Sequence, residues 1–264
     1  MSAEPWIAPW RRAWLAALAL LVLAFLVLPV FIVLPMSFSD SQYLEFPPRA
    51  WSLRWYEAYL GSADWMRATR ISLLAALLTT VLATPLGLAA AYGLHRAGGR
   101  TARVLRAALV APLVVPVIIL AIGIFYLYVR LGLVNTMTGL VLAHTALALP
   151  FVVVLVDAGL RRIDLDQERV ARSLGASPLR AFLTVVLPQL ERSLAAAAVL
   201  AFVTSLDEVV VALFVSGGEM STLTRRMFTG LRDQVDPTIA AISSLLIVIS
   251  VGLLGGAQLL LPRR

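Results

Sequence analysis

The chain reads as an all-α membrane protein with six transmembrane helices, and three observations predict this. Of its 264 residues, 60% are hydrophobic, well above the about 45–50% of an ordinary soluble domain. The apolar residues come in runs of about twenty, the length that crosses a ~30 Å hydrocarbon core. The polar residues are also restricted in kind, because the chain contains no Cys and no Lys. Disulfides, thiolate zinc sites and Cys nucleophiles are thereby excluded. A nucleotide-binding loop of the form GxxxxGK[ST] needs Lys for the phosphates, so the chain cannot build one. Two histidines, His95 and His144, are too few for a His-rich metal cluster. The net charge of +7 reads as Arg gathered in cytoplasmic loops, not as a nucleic-acid surface. No metal, cofactor or nucleic acid is expected.

The first span is Ala13–Leu34. It is too long for a cleaved signal peptide, and no A-x-A site follows it, so it reads as a signal-anchor helix. The second span is Ala68–Leu94, the third Val104–Val129 and the fourth Thr138–Leu160. The fifth is Ser193–Val215 and the sixth Thr238–Leu261. Residues 1–67 form an N-terminal membrane helix with an external segment. Residues 68–261 form a five-helix core interrupted by a polar loop, 161–192.

Arginine sets the orientation. Arg11 and Arg12 precede the first span. Arg96, Arg100, Arg103 and Arg106 follow the second. Arg161, Arg162, Arg169, Arg172, Arg180 and Arg192 fill the loop after the fourth, and Arg263 and Arg264 close the chain. These are 14 of 22 arginines on one side, which the positive-inside rule makes cytoplasmic, with both termini. The opposite side carries residues 37–67, whose "WSLRWYEAYLGSADWMRA" suits an amphipathic helix at the outer interface. Pro29, Pro85, Pro112, Pro116 and Pro150 fall inside spans. Either neighbouring groups satisfy the freed carbonyls, or the helices kink around a path that opens and closes.

The loop has strong local signals. Asp164 can cap a helix starting at Leu165, with Gln167 completing a capping box. Glu168 and Arg172 stand at i,i+4, a favourable helical pair. Gly175 occupies a left-handed C-terminal position. Ser177 can cap a second helix with Pro178 at its first position. Leu179, Phe182, Leu183 and Val186 make an apolar stripe, and Pro188 interrupts the helix before the chain re-enters the membrane. The product is a rigid helical hairpin suited to docking on a soluble partner.

This loop resembles the "EAA" loop of permease subunits in binding-protein-dependent ABC importers. That pattern is EAA, three residues, Gly, nine residues, Ile, any residue, Leu-Pro. Here Gly175 is followed by nine residues and then by Val185, Val186, Leu187 and Pro188. The triplet falls on Arg169, Val170 and Ala171, so only its last Ala is kept, and Glu168 stands one position early. Two further stretches resemble the spermidine/putrescine type: "SLRWYEAYL" at Ser52–Leu60, and Ser205–Ile247, which begins "SLDEVVVALFVSGG". That type often has Leu-Pro where this chain has Leu223-Thr224.

The resemblance implies a type I ABC importer permease fold whose loop is a coupling helix. Glu168, Arg169, Ala171, Arg172, Gly175, Ala176, Ser177, Pro178 and Pro188 are then the expected contacts with a dimeric cytoplasmic ATPase. It also implies a second permease subunit, making a heterodimer, an external substrate-binding protein, and a place in the bacterial inner membrane among lipid. ATP hydrolysis would belong to the partner chain, and a polyamine would be the solute.

Asp207 and Glu208 lie in the fifth span. Asp207 is fifteen residues beyond Arg192, or ~22 Å along a continuous helix. A charge near the bilayer centre costs ~2.5–3.5 kcal/mol, so such residues face a cavity or a partner. One reading is a path for a cation, and the other is a structural ion pair, for example with Arg225. In a continuous helix these neighbours differ by about 100°, so one can line the path while the other pairs. Asp157 reads as interfacial or paired with Arg161, His144 as a hydrogen-bonded packing residue, and His95 as interfacial. A stand-alone secondary transporter or channel is the alternative, but it has no use for the 175–188 hairpin. A membrane enzyme lacks an evident nucleophile–base pair.

Overall fold

A computed structural model describes residues 9–233 and 236–260. Leu261, Arg263 and Arg264 lie outside the described residues, as do the side chains of Arg11 and Arg12. The described residues are mostly helical, with one isolated antiparallel bridge between Ser39 and Trp51. They fall into two compact units. One holds residues up to Gly61 together with Asp233–Ile249, and the other holds Ser62–Arg232 with the residues from Ser250 on.

In the first unit, α1 (Pro9–Met36) is apolar around its circumference; it is exposed from Ala13 to Pro29 and partly covered from Ile32 to Met36. A helix with no polar face has lipid as its natural solvent. A loop closed by the Ser39–Trp51 bridge follows, then the short α2 (Arg54–Gly61). Tyr56 on α2 joins Ser37 and Ser244 through its hydroxyl, each at 2.7 Å. The expected amphipathic outer helix is therefore only eight residues long. It stops at Gly61 because Ser62 caps the next helix, accepting from the backbone N–H of Trp65.

The second unit is built on α3 (Ala63–Ala97), α6 (Met137–Leu160) and α9 (Glu191–Leu206). Between α3 and α6 come α4 (Gly99–Val110) and α5 (Val117–Leu131), joined by a 3-10 turn at Ala111–Leu113. Small residues let the three main helices approach closely, as packing in lipid requires. Ala68, Ala75, Ala76, Ala83, Gly87 and Ala91 form the buried stripe of α3. A Cβ on Gly87 would stand 2.4 Å from Val152 Cγ1, and one on Gly159 would stand 2.4 Å from Ser193 Oγ. The α3–α6 and α6–α9 contacts are thus set by missing side chains. Two apolar clusters result, one around Val152, Val156, Leu160 and Leu190, the other around Ile71, Ala121, Leu140 and Val215.

Among the described residues, three helices are long and apolar enough to cross a membrane, or up to five if each of two bent pairs is one span. The final helix, α12 (Thr238–Leu260), has an apolar described part of Thr238–Gly252. The third expected span is not continuous. It divides into α4 and α5, bent by 99°, where Pro112 sits in the 3-10 turn and Pro116 precedes α5. Proline removes a helical donor and clashes with the preceding turn, and two within five residues end the helix. Pro85 and Pro150 lie inside helices that continue past them.

The fifth expected span also breaks. α9 ends at Leu206, and a separate helix, α10, covers Val210–Val215. The loop before α9 contains α7 (Asp166–Ser173) and α8 (Pro178–Gln189), and α8 meets α9 at 76°. After α10 comes the amphipathic α11 (Leu223–Asp233).

Candidate functional site

The hairpin of α7 and α8 has the turn chemistry its residues dictate. Gly175 has φ +94°, where a Cβ is strained. The N–H of Ala176 reaches back to the carbonyl of Ala171 at 3.1 Å, closing the end of α7. Ser177 caps α8 by accepting from the backbone N–H of Arg180, with Pro178 in the first turn.

Three details differ from the sequence reading. α7 begins at Asp166 with Leu165 before it, and Asp164 Oδ1 accepts the N–H of Asp166 at 2.9 Å. Gln167 does not complete a capping box, because its side-chain oxygen accepts from Gln189 Nε2 on α8. The chain turns at Leu190, not at Pro188; α8 carries a π-turn at Phe182–Val186 and passes through Pro188 before the bend.

Glu168 is the larger departure. It does not pair with Arg172 but turns inward, 2% exposed. Its carboxylate accepts from Arg96 Nη1 and, at 2.8 Å, from the Tyr92 hydroxyl, both on α3. Tyr92 in turn packs on Phe182 of α8, with ring centroids 4.6 Å apart. The last turns of α3 therefore hold both helices of the hairpin. Arg169, Arg172, Ser173, Ala176 and Pro178 line an open cleft of about 460 Å³ on the hairpin. Arg169 pairs locally with Asp166. Leu174, at 83% exposed, and Leu179 project apolar surface beside it, Ala171 is partly buried, and Pro188 is exposed. Of the expected apolar stripe, Val186 is buried and Phe182 partly so, while Leu179 and Leu183 face outward.

The two intramembrane carboxylates occupy different environments. Glu208 is buried, with Oε1 accepting from the N–H of Val211 at 2.8 Å and Oε2 from that of Ala212 at 2.9 Å. Its side chain thus takes the place of the carbonyls that a continuous helix would offer to those donors. This cap separates α9 from α10, so the 100° relation between neighbours does not apply. Asp207 ends α9 and is exposed. Arg225 pairs with neither carboxylate; its Nη1 lies 3.3 Å from the carbonyl of Ala212. Thr224 donates its hydroxyl to the carbonyl of Glu208 at 2.8 Å. The residue that departs from the Leu-Pro pattern therefore supports the break.

His144 lies between the two apolar clusters. Its Nδ1 is 2.7 Å from Ser205 Oγ, and Ser205 Oγ is 3.4 Å from Thr79 Oγ1, making a buried polar layer across α6, α9 and α3. His144 Nε2 stands 3.8 Å from Glu208. Asp157, near the end of α6, is held by Arg161 Nε at 3.0 Å as expected, and also by Arg106 Nη1 from α4.

A bundle of helices packed on small residues thus carries a span interrupted at two carboxylates and an exposed hairpin tied to the end of α3. The chain belongs to the family described as binding-protein-dependent transport system inner membrane component, which matches residues 83–264. It is thus a multi-pass inner-membrane component of a bacterial transport system, not an enzyme in its own right. Among its relatives, the putrescine transport system permease protein PotI of Escherichia coli K12 is 33% identical over 252 residues, covering 93% of this chain and 89% of that protein. The spermidine/putrescine transport system permease protein PotC of the same organism is 28% identical over 239 residues, covering 90% of each. A solved bacterial ABC transporter involved in alginate import has a chain of the same fold, with a TM-score of 0.73 at 16% identity, covering 97% of this chain and 99% of that one.

Proposed function

We propose that the chain forms half of the translocation path of an ABC importer for a polyamine, of the spermidine/putrescine class. An external binding protein delivers the solute, and a separate ATPase dimer drives the cycle from the cytoplasm. Residues 68–261 form the permease core, and residues 1–67 supply an additional helix and an external segment. On this reading the chain crosses the membrane six times, with both termini and loop 161–192 in the cytoplasm, as the arginine distribution favours. The second half of the path is a paralogous permease chain, making a heterodimer.

The observation that carries the polyamine reading is the break after α9, where Asp207 is an exposed carboxylate within an apolar span. An ammonium group passing through low-dielectric surroundings gains from such a charge. Kinship along nearly the whole chain with permeases named for putrescine and spermidine supports the same solute. The hairpin is the coupling element. Glu168 positions it from within, while Arg169, Arg172, Ala176, Pro178 and the apolar Leu174 and Leu179 face the ATPase. Gly175 and Ser177 set its turn.

The test is uptake of labelled putrescine and spermidine by the reconstituted importer with its own binding protein and ATPase. ATP-dependent uptake of a polyamine, competed by the other but not by a neutral diol of equal length, is the expected result. Uptake of an anion such as molybdate without polyamine uptake would overturn the substrate assignment.

A further inference from the structure

The start of α4 meets the C-terminal ends of α3 and α6 around a cleft of about 360 Å³ that the transport reading leaves unused. His95, Arg103, Arg106 and Arg161 line it, with Gly98 and Gly99 at its edge. Both glycines have positive φ, and the space where a Cβ would stand is open. One carboxylate answers these basic groups. Asp157 accepts from Arg106 and Arg161, and its other oxygen lies 3.6 Å from His95 Nδ1. Two guanidinium groups thus share a single negative charge. Arg103 is exposed and has no bonded partner among the described residues, so the cleft keeps a positive excess.

We propose that this cleft binds the phosphate of an anionic lipid headgroup. α4 is bent by 99° from α5, and a helix so turned from a spanning partner can run along the membrane surface. Arg103 and Arg106, both in the cleft lining, stand at i,i+3 on one arc of α4. Val104 and Leu105, both exposed, occupy the adjoining arc. Cationic and apolar surfaces side by side match a headgroup with its acyl chains, whereas a free phosphate has no use for the apolar arc. Basic recesses between membrane helices are a recurrent means of holding anionic headgroups. No side chain caps the first turn of α4, which leaves its N–H groups open to an oxyanion beside the arginines.

This site is independent of the solute carried, so uptake is not its readout. The complete importer is placed in nanodiscs of mixed phosphatidylglycerol and phosphatidylcholine. After mild delipidation, native mass spectrometry counts the phospholipids retained. Arg103→Gln should weaken phosphatidylglycerol retention about fivefold, the contribution of one basic residue at an anionic surface. Arg100→Gln, on the same helix but outside the cleft lining, should retain it as the unaltered protein does. Equal losses in both variants would reduce the site to diffuse surface charge and overturn the proposal, as would no loss in Arg103→Gln. Displacement of phosphatidylglycerol by millimolar inorganic phosphate would make this a soluble-phosphate site and overturn the lipid assignment.

Discussion

Arg96 and Glu168 stand 72 residues apart in sequence and form a charge-assisted hydrogen bond between the end of α3 and the first turn of α7. The carboxylate side chain is 3% exposed, while that of Arg96 is 37% exposed. The hairpin is therefore held through an acid that cannot easily find water if its partner is lost.

The first prediction concerns this tether. Arg96→Ala should destabilise the hairpin by about 2 kcal/mol, less than a fully buried pair because Arg96 is partly solvated and Tyr92 still donates. Protease cleavage within residues 161–177 should accelerate, and stimulation of the ATPase by loaded binding protein should fall. Glu168→Gln keeps an acceptor for Tyr92 and should lose less. Unchanged proteolysis and unchanged stimulation in Arg96→Ala would show that the pair does not hold the hairpin.

A second prediction follows from the turn at Gly175. Its φ of +94° disfavours any side chain, although the space around it is open. Gly175→Val should therefore cost roughly 1–2 kcal/mol through the backbone alone. Gly175→Asn should lie between Gly and Val, since Asn tolerates positive φ better. The quantity to measure is ATP hydrolysed per solute imported, which should rise from Gly to Asn to Val while membrane insertion stays constant. A ratio that does not change across the series would separate this turn from coupling.

Orientation gives a third prediction, made convenient by the absence of Cys. Ala50 and Leu174 are both exposed. In sealed right-side-out cells, an impermeant maleimide should label Ala50→Cys and leave Leu174→Cys untouched until the membrane is permeabilised. The reverse pattern would invert the proposed topology.

These features differ in how far the sequence announces them. Gly175, Ser177 and Pro178 were legible because turn and cap chemistry acts within four residues, and the chain spells it out locally. The pairs Arg96–Glu168 and Arg106–Asp157 were not, because 72 and 51 residues separate their members and only helix packing brings them together. Helical spacing offered Arg172 to Glu168, and tertiary packing supplied a buried alternative. The break after Leu206 was hidden for a different reason. Hydropathy averaged over a span sees the strongly apolar residues on either side of Asp207, and an internal cap such as Glu208 changes that average very little. The divided third span did carry a signal in Pro112 and Pro116, which the length of the apolar run outweighed.

The final prediction sets Asp207 against Glu208. Both are carboxylates in one short break, yet the geometry gives them different work. Glu208 satisfies two backbone donors at the start of α10, where lipid and apolar side chains offer no substitute. An unsatisfied N–H in such surroundings costs several kcal/mol. Glu208→Ala should therefore lower complex yield and thermal midpoint before any question of transport arises. Glu208→Gln keeps one acceptor oxygen and should lose only part of that stability. Asp207 caps no helix through its side chain, and it is exposed. Asp207→Asn keeps size and shape, so the complex should assemble with an unaltered midpoint. Its effect should fall on the moving cation, and polyamine uptake at limiting substrate should drop about tenfold, which corresponds to the loss of roughly 1.4 kcal/mol of favourable interaction. Recording midpoint and uptake on the same purified samples separates the roles. If Asp207→Asn imports normally while Glu208→Gln fails to import at full stability, the two assignments are exchanged: Glu208 becomes the solute-facing group, and the hydrogen bonds to Val211 and Ala212 are dispensable to the fold.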